Sequence, residues 1–201
     1  MKVTKAQVQA NRARIVETAS ALFRERGYDG VGVADLMAAA GLTHGGFYKH
    51  FGSKADLMAE SAACGIAQTV AASKHADAET FVRHYLSRAH RDTRASGCTM
   101  AALGGDAVRQ PDAVRAAFAA GIEDVLGVLA GGAAQEAGDP AARARARATT
   151  IATMAQAVGA IVLSRACPDD SPLADDILTA CREAILAALH SPVADGGAGV
   201  P

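Results

Sequence analysis

Tryptophan is absent from this 201-residue chain, and phenylalanine and tyrosine together make up only 4% of it. Any core must therefore be built mainly from aliphatic side chains. Half of the residues are hydrophobic, enough for a sizeable one. Prolines number only six and β-branched runs are few, so little opposes long helices in an alanine-dominated chain. No apolar/polar alternation or hairpin signal marks a strand. The four cysteines, Cys64, Cys98, Cys167 and Cys181, lack metal-site spacing and fall within or at the ends of predicted helices, as reduced core thiols of a cytoplasmic protein would. No signal peptide or membrane-length apolar run stands out, so no membrane partner is expected. A metal-ligand motif, phosphate loop or nucleophile elbow is likewise missing, so neither cofactor, metal nor enzymatic activity is expected.

The net charge of −1 conceals an asymmetry. Residues 1–54 hold eight Lys/Arg against four acids, whereas residues 55–201 hold twelve against seventeen. A basic head on an acidic body fits a protein whose head alone meets a polyanion, and it equally fits an ordinary solvated surface. The length allows one domain or two small ones, and no internal repeat is present. Helical periodicity predicts an all-α chain of about nine helices. Helix 1 covers about Lys5 to Arg26, with Val8, Ile15, Ala19, Leu22 and Phe23 as its stripe and Gly27 as its stop. Helix 2 covers Val33 to Ala40 and helix 3 His44 to His50. Helix 4 begins after Ser53 and runs to about His75. Helix 5 spans about Ala78 to Ala95, and a short helix 6 spans Thr99 to Arg109, weakened by Gly104-Gly105. Three later helices open on a proline: Pro111, Pro140 and Pro172. The resulting organisation is a three-helix head over 1–54, a body over 55–191 and a disordered tail over 192–201.

The segment Gly41 to Leu57, GLTHGGFYKHFGSKADL, carries the most information. Gly41 follows an apolar helical run, and Thr43 is positioned to cap a short second helix, a helix-turn-helix arrangement that can present side chains to a DNA major groove. Gly45 and Gly46 weaken that helix but allow its backbone close to a groove floor. Phe47 and Phe51 are expected to anchor it against Leu36 and Leu22. Lys54, a cation in the first turn of helix 4, opposes the helix dipole unless a phosphate also sits there. The pattern Ala19-x-x-Leu22-Phe23, Gly27-Tyr28, Val33-x-x-Leu36, Ala40-Gly41-Leu42, Gly46-x-Tyr48-x-x-Phe51 and Ser53-Lys54-x-x-Leu57 resembles the DNA-binding domain of the TetR family of bacterial transcription regulators. The resemblance covers Ile15 to Leu57. It implies that Thr43, His44, Gly45 and Gly46 face base edges and phosphates. It also implies that Tyr48, Lys49 and His50 contact the DNA backbone or bases, and that Lys54 binds a phosphate. Lys2, Lys5, Arg12 and Arg14 could reach flanking phosphates, or form a solvated arm. Val33 stands where family members often carry a phosphate-binding hydroxyl, so any contact there falls to backbone amides.

For the body the resemblance implies a small-molecule effector held in the helical bundle, walled by Phe81, Tyr85, Met100, Leu103, Phe118, Ile122, Met154 and Val158. The same residues at helical spacing also read as plain core. His84, Arg88, His90 and Gln156 are the polar candidates. The last two helices are broadly apolar, and Val158, Ile161, Ile177, Leu178, Cys181 and Ile185 are candidates for a homodimeric four-helix contact, burial within one chain being the equal alternative. Gly65 either eases a bend in helix 4 or simply packs. Cys98 opens helix 6, where amides and the helix dipole favour a thiolate. Its Gly-Cys context resembles a TetR subgroup with some electrophile or oxidant sensors, against the simpler reading of a core thiol. The expected function is thus a regulator, acting as a repressor, released from a pseudo-palindromic double-stranded DNA operator by an effector. A thiol sensor on the same scaffold is the alternative, and an all-helical enzyme or interaction module is the alternative from another class.

Overall fold

A computed structural model describes residues 4–73, 77–136 and 139–190. Among these, nine α-helices and two 3-10 turns form the architecture, with no strand. The tail expected over 192–201 and Lys2 lie outside the described residues.

The head is built by local signals. Thr4 caps α1 (Lys5–Arg26) by accepting from the Gln7 amide at 3.2 Å, and Gly27, at φ 74°, ends it. Ile15, Ala19 and Phe23 are buried, whereas Val8 lies on the exposed side and is not part of the stripe. α2 (Val33–Ala39) starts at Gly32, whose amide donates to the Asp35 carboxylate at 3.1 Å. That amide is therefore already occupied at the position where a phosphate contact was expected from the backbone. Gly41 turns the chain at φ 67°, and the Leu42 amide closes back on the Met37 carbonyl at 2.8 Å, a glycine-terminated helix end.

The third helix of the head is a 3-10 helix, His44–Lys49, rather than an α-helix. Thr43 stands at its N-cap, but its hydroxyl makes no capping bond; the Gly46 amide donates to the Thr43 carbonyl instead, at 2.9 Å. Two glycines among six residues lower its α-helical propensity, and short segments of this kind settle into 3-10 geometry. Tertiary packing holds them, because Phe47 and Phe51 are buried with ring centroids 5.6 Å apart. α3 (Lys54–Ser73) then begins as expected, the Ser53 hydroxyl accepting from the Asp56 amide at 3.1 Å. It packs chiefly on α1 and on α7 (Asp112–Glu136).

The single helix expected over 78–95 is three pieces: α4 (Ala78–Tyr85), α5 (Arg88–Asp92) and a 3-10 turn over Arg94–Ser96. The break is built by side chains. Ser87 caps α5 by accepting from the His90 amide at 3.2 Å, while Arg182 reaches from α9 (Pro172–His190) to the Leu86 carbonyl at 2.9 Å. α6 (Thr99–Ala107) stops two residues earlier than expected. α8 (Pro140–Ala166) is capped by Asp139, which accepts from the Ala141 and Ala142 amides at 3.0 and 3.1 Å.

Two glycines mark the closest helix approaches. A Cβ at Gly121 would lie 2.6 Å from Ile66 Cδ1, and one at Gly65 would lie 2.3 Å from both Arg24 Nη1 and Thr99 Oγ1. Gly65 is therefore a packing residue. Arg91, 2% exposed, ties α5 to the end of α8 through the Ser164 and Cys167 carbonyls at 3.0 and 3.1 Å, the Ser164 hydroxyl and the Asp169 carboxylate.

α8 corrects two expectations. It is long and apolar enough to cross a membrane by length and composition, yet only 11% of its most apolar window is buried in this chain. Of the residues expected at a dimer contact, Ile161, Leu178 and Ile185 are consumed by the core of the single chain, and Val158, Ile177 and Cys181 are half-buried against it. The outward faces carry two stripes at heptad spacing: Ala152, Gln156, Gly159 and Leu163 on α8, and Leu173, the half-buried Ile177, Ala180 and Ala184 on α9.

Candidate functional site

The outer face of the head presents His44, Gly45, Tyr48 and Lys49, all exposed, with Thr43 beside them. Phe47 anchors the helix from below, and Tyr48 stands edge-on to it at 5.2 Å with 71% of its surface exposed. An aromatic held this open, with no protein partner for its ring beyond Phe47, is suited to an external surface. A Cβ at Gly45 would meet no atom of the protein within 4 Å, and its φ is not positive. The fold does not need glycine there, so any requirement for it lies in what approaches from outside. No acid occurs from Leu36 to Ala55, leaving Lys49 without a local counter-charge in sequence, while Lys54 has Asp56 two residues on.

Three predicted contacts differ in detail. The Lys54 ammonium donates to the Tyr28 carbonyl at 2.6 Å and lies 5.8 Å from the centre of the Phe23 ring. One of its three protons is therefore internal, and the remainder are available to an anion. Arg12 is not part of a free arm. It pairs with Glu60, lies 4.6 Å over the Phe51 ring and donates to the His50 carbonyl at 3.4 Å. This also fixes the His50 backbone, while His50 Nδ1 is buried with no hydrogen-bond partner among the described residues. Lys5 and Arg14 are exposed.

In the body, the expected pocket residues divide between two spaces. Phe81, Tyr85, Met100, Met154 and Val158 line an enclosed chamber of about 60 Å³ together with Cys98, Val125 and Ile185. Phe118 and Ile122 line an open apolar groove of about 560 Å³ between α6, α7 and α8, with Met100, Met154 and Val158 as the shared wall. Leu103 lines neither; it is core. The chamber holds only a couple of waters as it stands, so an effector of ordinary size requires the Met100/Met154 wall to move. Unbranched methionines do that at low cost. The Tyr85 hydroxyl is buried with the Cys98 thiol beside it and meets no oxygen or nitrogen acceptor among the described residues; burial first, and Cys98 second, drive its pKa well above the ordinary tyrosine value. It is a neutral donor on the chamber wall. Among the polar candidates, His84 and His90 line a side cavity of about 130 Å³ with Arg24 and Cys98. Arg88 is turned to Asp92 and Asp175, and Gln156 lies on the outward stripe of α8.

Cys98 is 3% exposed and occupies the N-cap of α6. Its amide donates to His90 Nε2 at 3.1 Å, while His90 Nδ1 meets the Tyr85 carbonyl at 2.7 Å. This fixes a neutral imidazole with its proton on Nδ1. Burial, aided by Arg165, lowers the His90 pKa from 6.5. The unfolded chain therefore binds a proton at His90 near its ordinary value, and the folded chain only at lower pH. Stability is full above about pH 6.5 and falls as the pH drops through it. A thermal melt is expected to show a lower Tm at pH 5.5 than at pH 7.5, with the difference reduced in His90→Gln; equal pH dependence in the two proteins would remove His90 as its source.

Fold and face together define a helix-turn-helix head on an all-helical body. Residues 15–60 match the model of bacterial regulatory proteins of the tetR family. The head is thus similar to the N-terminal domain of that family of transcription regulators. Over 55 residues it is 42% identical to the HTH-type transcriptional regulator TtgR of Pseudomonas putida, a segment covering 27% of this chain and 26% of that one. Over 54 residues it is 39% identical to the HTH-type transcriptional repressor KstR2 of Mycobacterium tuberculosis. The chain thus aligns with about a quarter of the length of these relatives. Solved structures match across the fold: reduced E. coli NemR at TM-score 0.70, 16% identity and coverage of 89% of this chain and 97% of that one, and a TetR-family regulator from Agrobacterium tumefaciens at 0.67, 19%, 90% and 98%.

Proposed function

We propose that this chain is a dimeric transcription repressor of the cytoplasm that leaves its operator when a small apolar molecule enters the body. The head comprises residues 1–54 and the body 55–191. The observation that carries the DNA reading is the exposed, acid-free face of the 3-10 helix, held from beneath by Phe47 and Phe51. Two such heads read a pseudo-palindromic duplex through successive major-groove faces. His44 reads bases, Tyr48 and Lys49 the backbone, and Lys54 a phosphate with its remaining protons.

The effector reading rests on the Met100/Met154 wall and the Tyr85 hydroxyl, which suit an apolar molecule with one hydrogen-bond acceptor. The ligand releases DNA only by the difference in its affinity for the two head arrangements. Burial of Cys98 favours a reversible ligand over thiol chemistry.

Binding titrations on a selected duplex test the DNA contacts. Lys49→Ala should weaken binding to all sequences and flatten the log–log salt slope by roughly one unit. His44→Ala should instead change which sequence is preferred. Salt-independent binding, or failure to select any sequence, would overturn the reading.

A further inference from the structure

The joint between head and body contains a second recess, apart from the chamber. It has a volume of about 440 Å³, within the range that holds a small organic ligand. Arg24 and Arg26 enter it from the end of α1, and Arg94 and Arg165 from the body. Glu25 and Asp106 also line it, but each is engaged: Glu25 with Arg26 at 3.6 Å, Asp106 with Arg109 at 2.7 Å. Two of the arginines meet no carboxylate. Arg24, 6% exposed, donates only to neutral acceptors: the Ala95 carbonyl at 2.7 Å, the Ser20 and Thr99 hydroxyls at 3.0 and 3.3 Å, and Gln68 Oε1 at 3.5 Å. Arg165 donates to the Arg91 and His90 carbonyls at 2.8 and 3.1 Å, and its Nη1 is buried without a partner. Burial lowers the pKa of both guanidinium groups, and neighbouring Arg94 and Arg91 lower that of Arg165 further. Two arginines without a carboxylate partner, beside two more, make the potential of this open recess positive.

We propose that this arginine-lined recess is a binding site for a small organic acid, whose occupancy sets how the head sits on the body. Guanidinium forks hold carboxylates and phosphates, and the apolar part of the lining selects an organic carboxylate over a bare phosphate. The apolar part of the ligand would lie on Ala101, Ala102 and Val162, which complete the lining. Arg24 and Arg26 belong to the head and Arg94 and Arg165 to the body, so the anion is shared across the joint. Its affinity then depends on head position, and by linkage operator DNA and the acid change one another's affinity by the same factor.

Calorimetric titration of the full chain with octanoate, octanol and inorganic phosphate tests this. Octanoate is expected to bind with Kd below about 1 mM, phosphate at least tenfold more weakly, and octanol not at this site. Arg26→Ala/Arg94→Ala, which removes two exposed side chains, should weaken octanoate roughly tenfold or more. Tyr85→Phe, which changes the chamber and leaves all four arginines in place, should leave octanoate binding unchanged. No octanoate binding, octanol binding that weakens as much as octanoate binding in the arginine variant, or loss of octanoate binding in Tyr85→Phe with retention in the arginine variant would overturn the site. An octanoate Kd that is identical with and without bound operator would overturn its control of the head.

Discussion

Leu163→Asp is expected to give a folded monomer that has lost most of its operator affinity. Leu163 is 59% exposed and Leu173 is 56% exposed, each within an outward stripe of small and apolar residues. A Cβ at Gly159 would meet nothing within 4 Å, so the stripe leaves room for a second backbone to approach. Two copies of α8 and α9 would close these stripes into a four-helix contact and bury the apolar surface that one chain leaves open. A charge in that contact would be unpaired on assembly and merely solvated in the monomer, so Tm should shift little. The monomer engages one half-site and forfeits the effective concentration of the second head, a loss of roughly 10²–10⁴ in operator affinity. Ile185→Asp should behave differently, because Ile185 is 2% exposed inside the single chain and a charge there costs several kcal/mol of folding. Sedimentation, melting and DNA titration of the two variants separate these outcomes. A Leu163→Asp protein that stays dimeric, or a wild type that sediments as a monomer at micromolar concentration, would refute the interface.

Arg91→Ala is expected to lower stability by about 3 kcal/mol or more, a Tm drop of roughly 10 °C. The guanidinium is buried and satisfies the last carbonyls of α8, which point into the joint with α5 and would otherwise be left short of donors. Arg91→Lys should retain part of that stability, since an ammonium keeps the charge but not the planar fork. A melt within 2–3 °C of wild type for Arg91→Ala would mean that water replaces the guanidinium freely.

The head was legible in the sequence because its signals are local. Gly41, Ser53 and the caps and aromatics around them act within a few residues, and α1, α2 and the start of α3 fall where they predict. Three features were not legible for a common reason: their partners are far away in the chain. The break at Leu86 is fixed by Arg182 from α9, a residue 96 positions later. Arg24 and Arg91 are charged residues by type, yet both are buried, and most of their acceptors lie 44 to 78 positions away: the Ala95 carbonyl, Thr99 hydroxyl and Gln68 amide for Arg24, and the Ser164 and Cys167 carbonyls and Asp169 carboxylate for Arg91. Ile161, Leu178 and Ile185 were picked out because periodicity finds the most apolar face of a helix, and that face belongs to the core of its own chain. The outward faces mix leucine with alanine and glycine, which carry little hydropathy but permit close approach. Thr43 is a residue of the right type at the right position, but the 3-10 geometry leaves its hydroxyl unused.

The clamped middle of α3 has a mechanical consequence. Gly65 is pressed against Arg24 and Thr99 on one side, and its neighbour Ile66 fills the notch at Gly121 on the other. A helix gripped there is a beam on a fulcrum. From Gly65 to Thr69, on the chamber wall, is about 6 Å, while from Gly65 back to Lys54, beside the DNA-facing turn, is about 16 Å at 1.5 Å per residue. The unequal arms give nearly threefold gain: a rigid tilt that moves Thr69 by about 1 Å sweeps Lys54 by nearly 3 Å the opposite way. A methionine changing rotamer at the short arm would thus be geared to a displacement comparable with a whole hydrogen-bond length at Lys54.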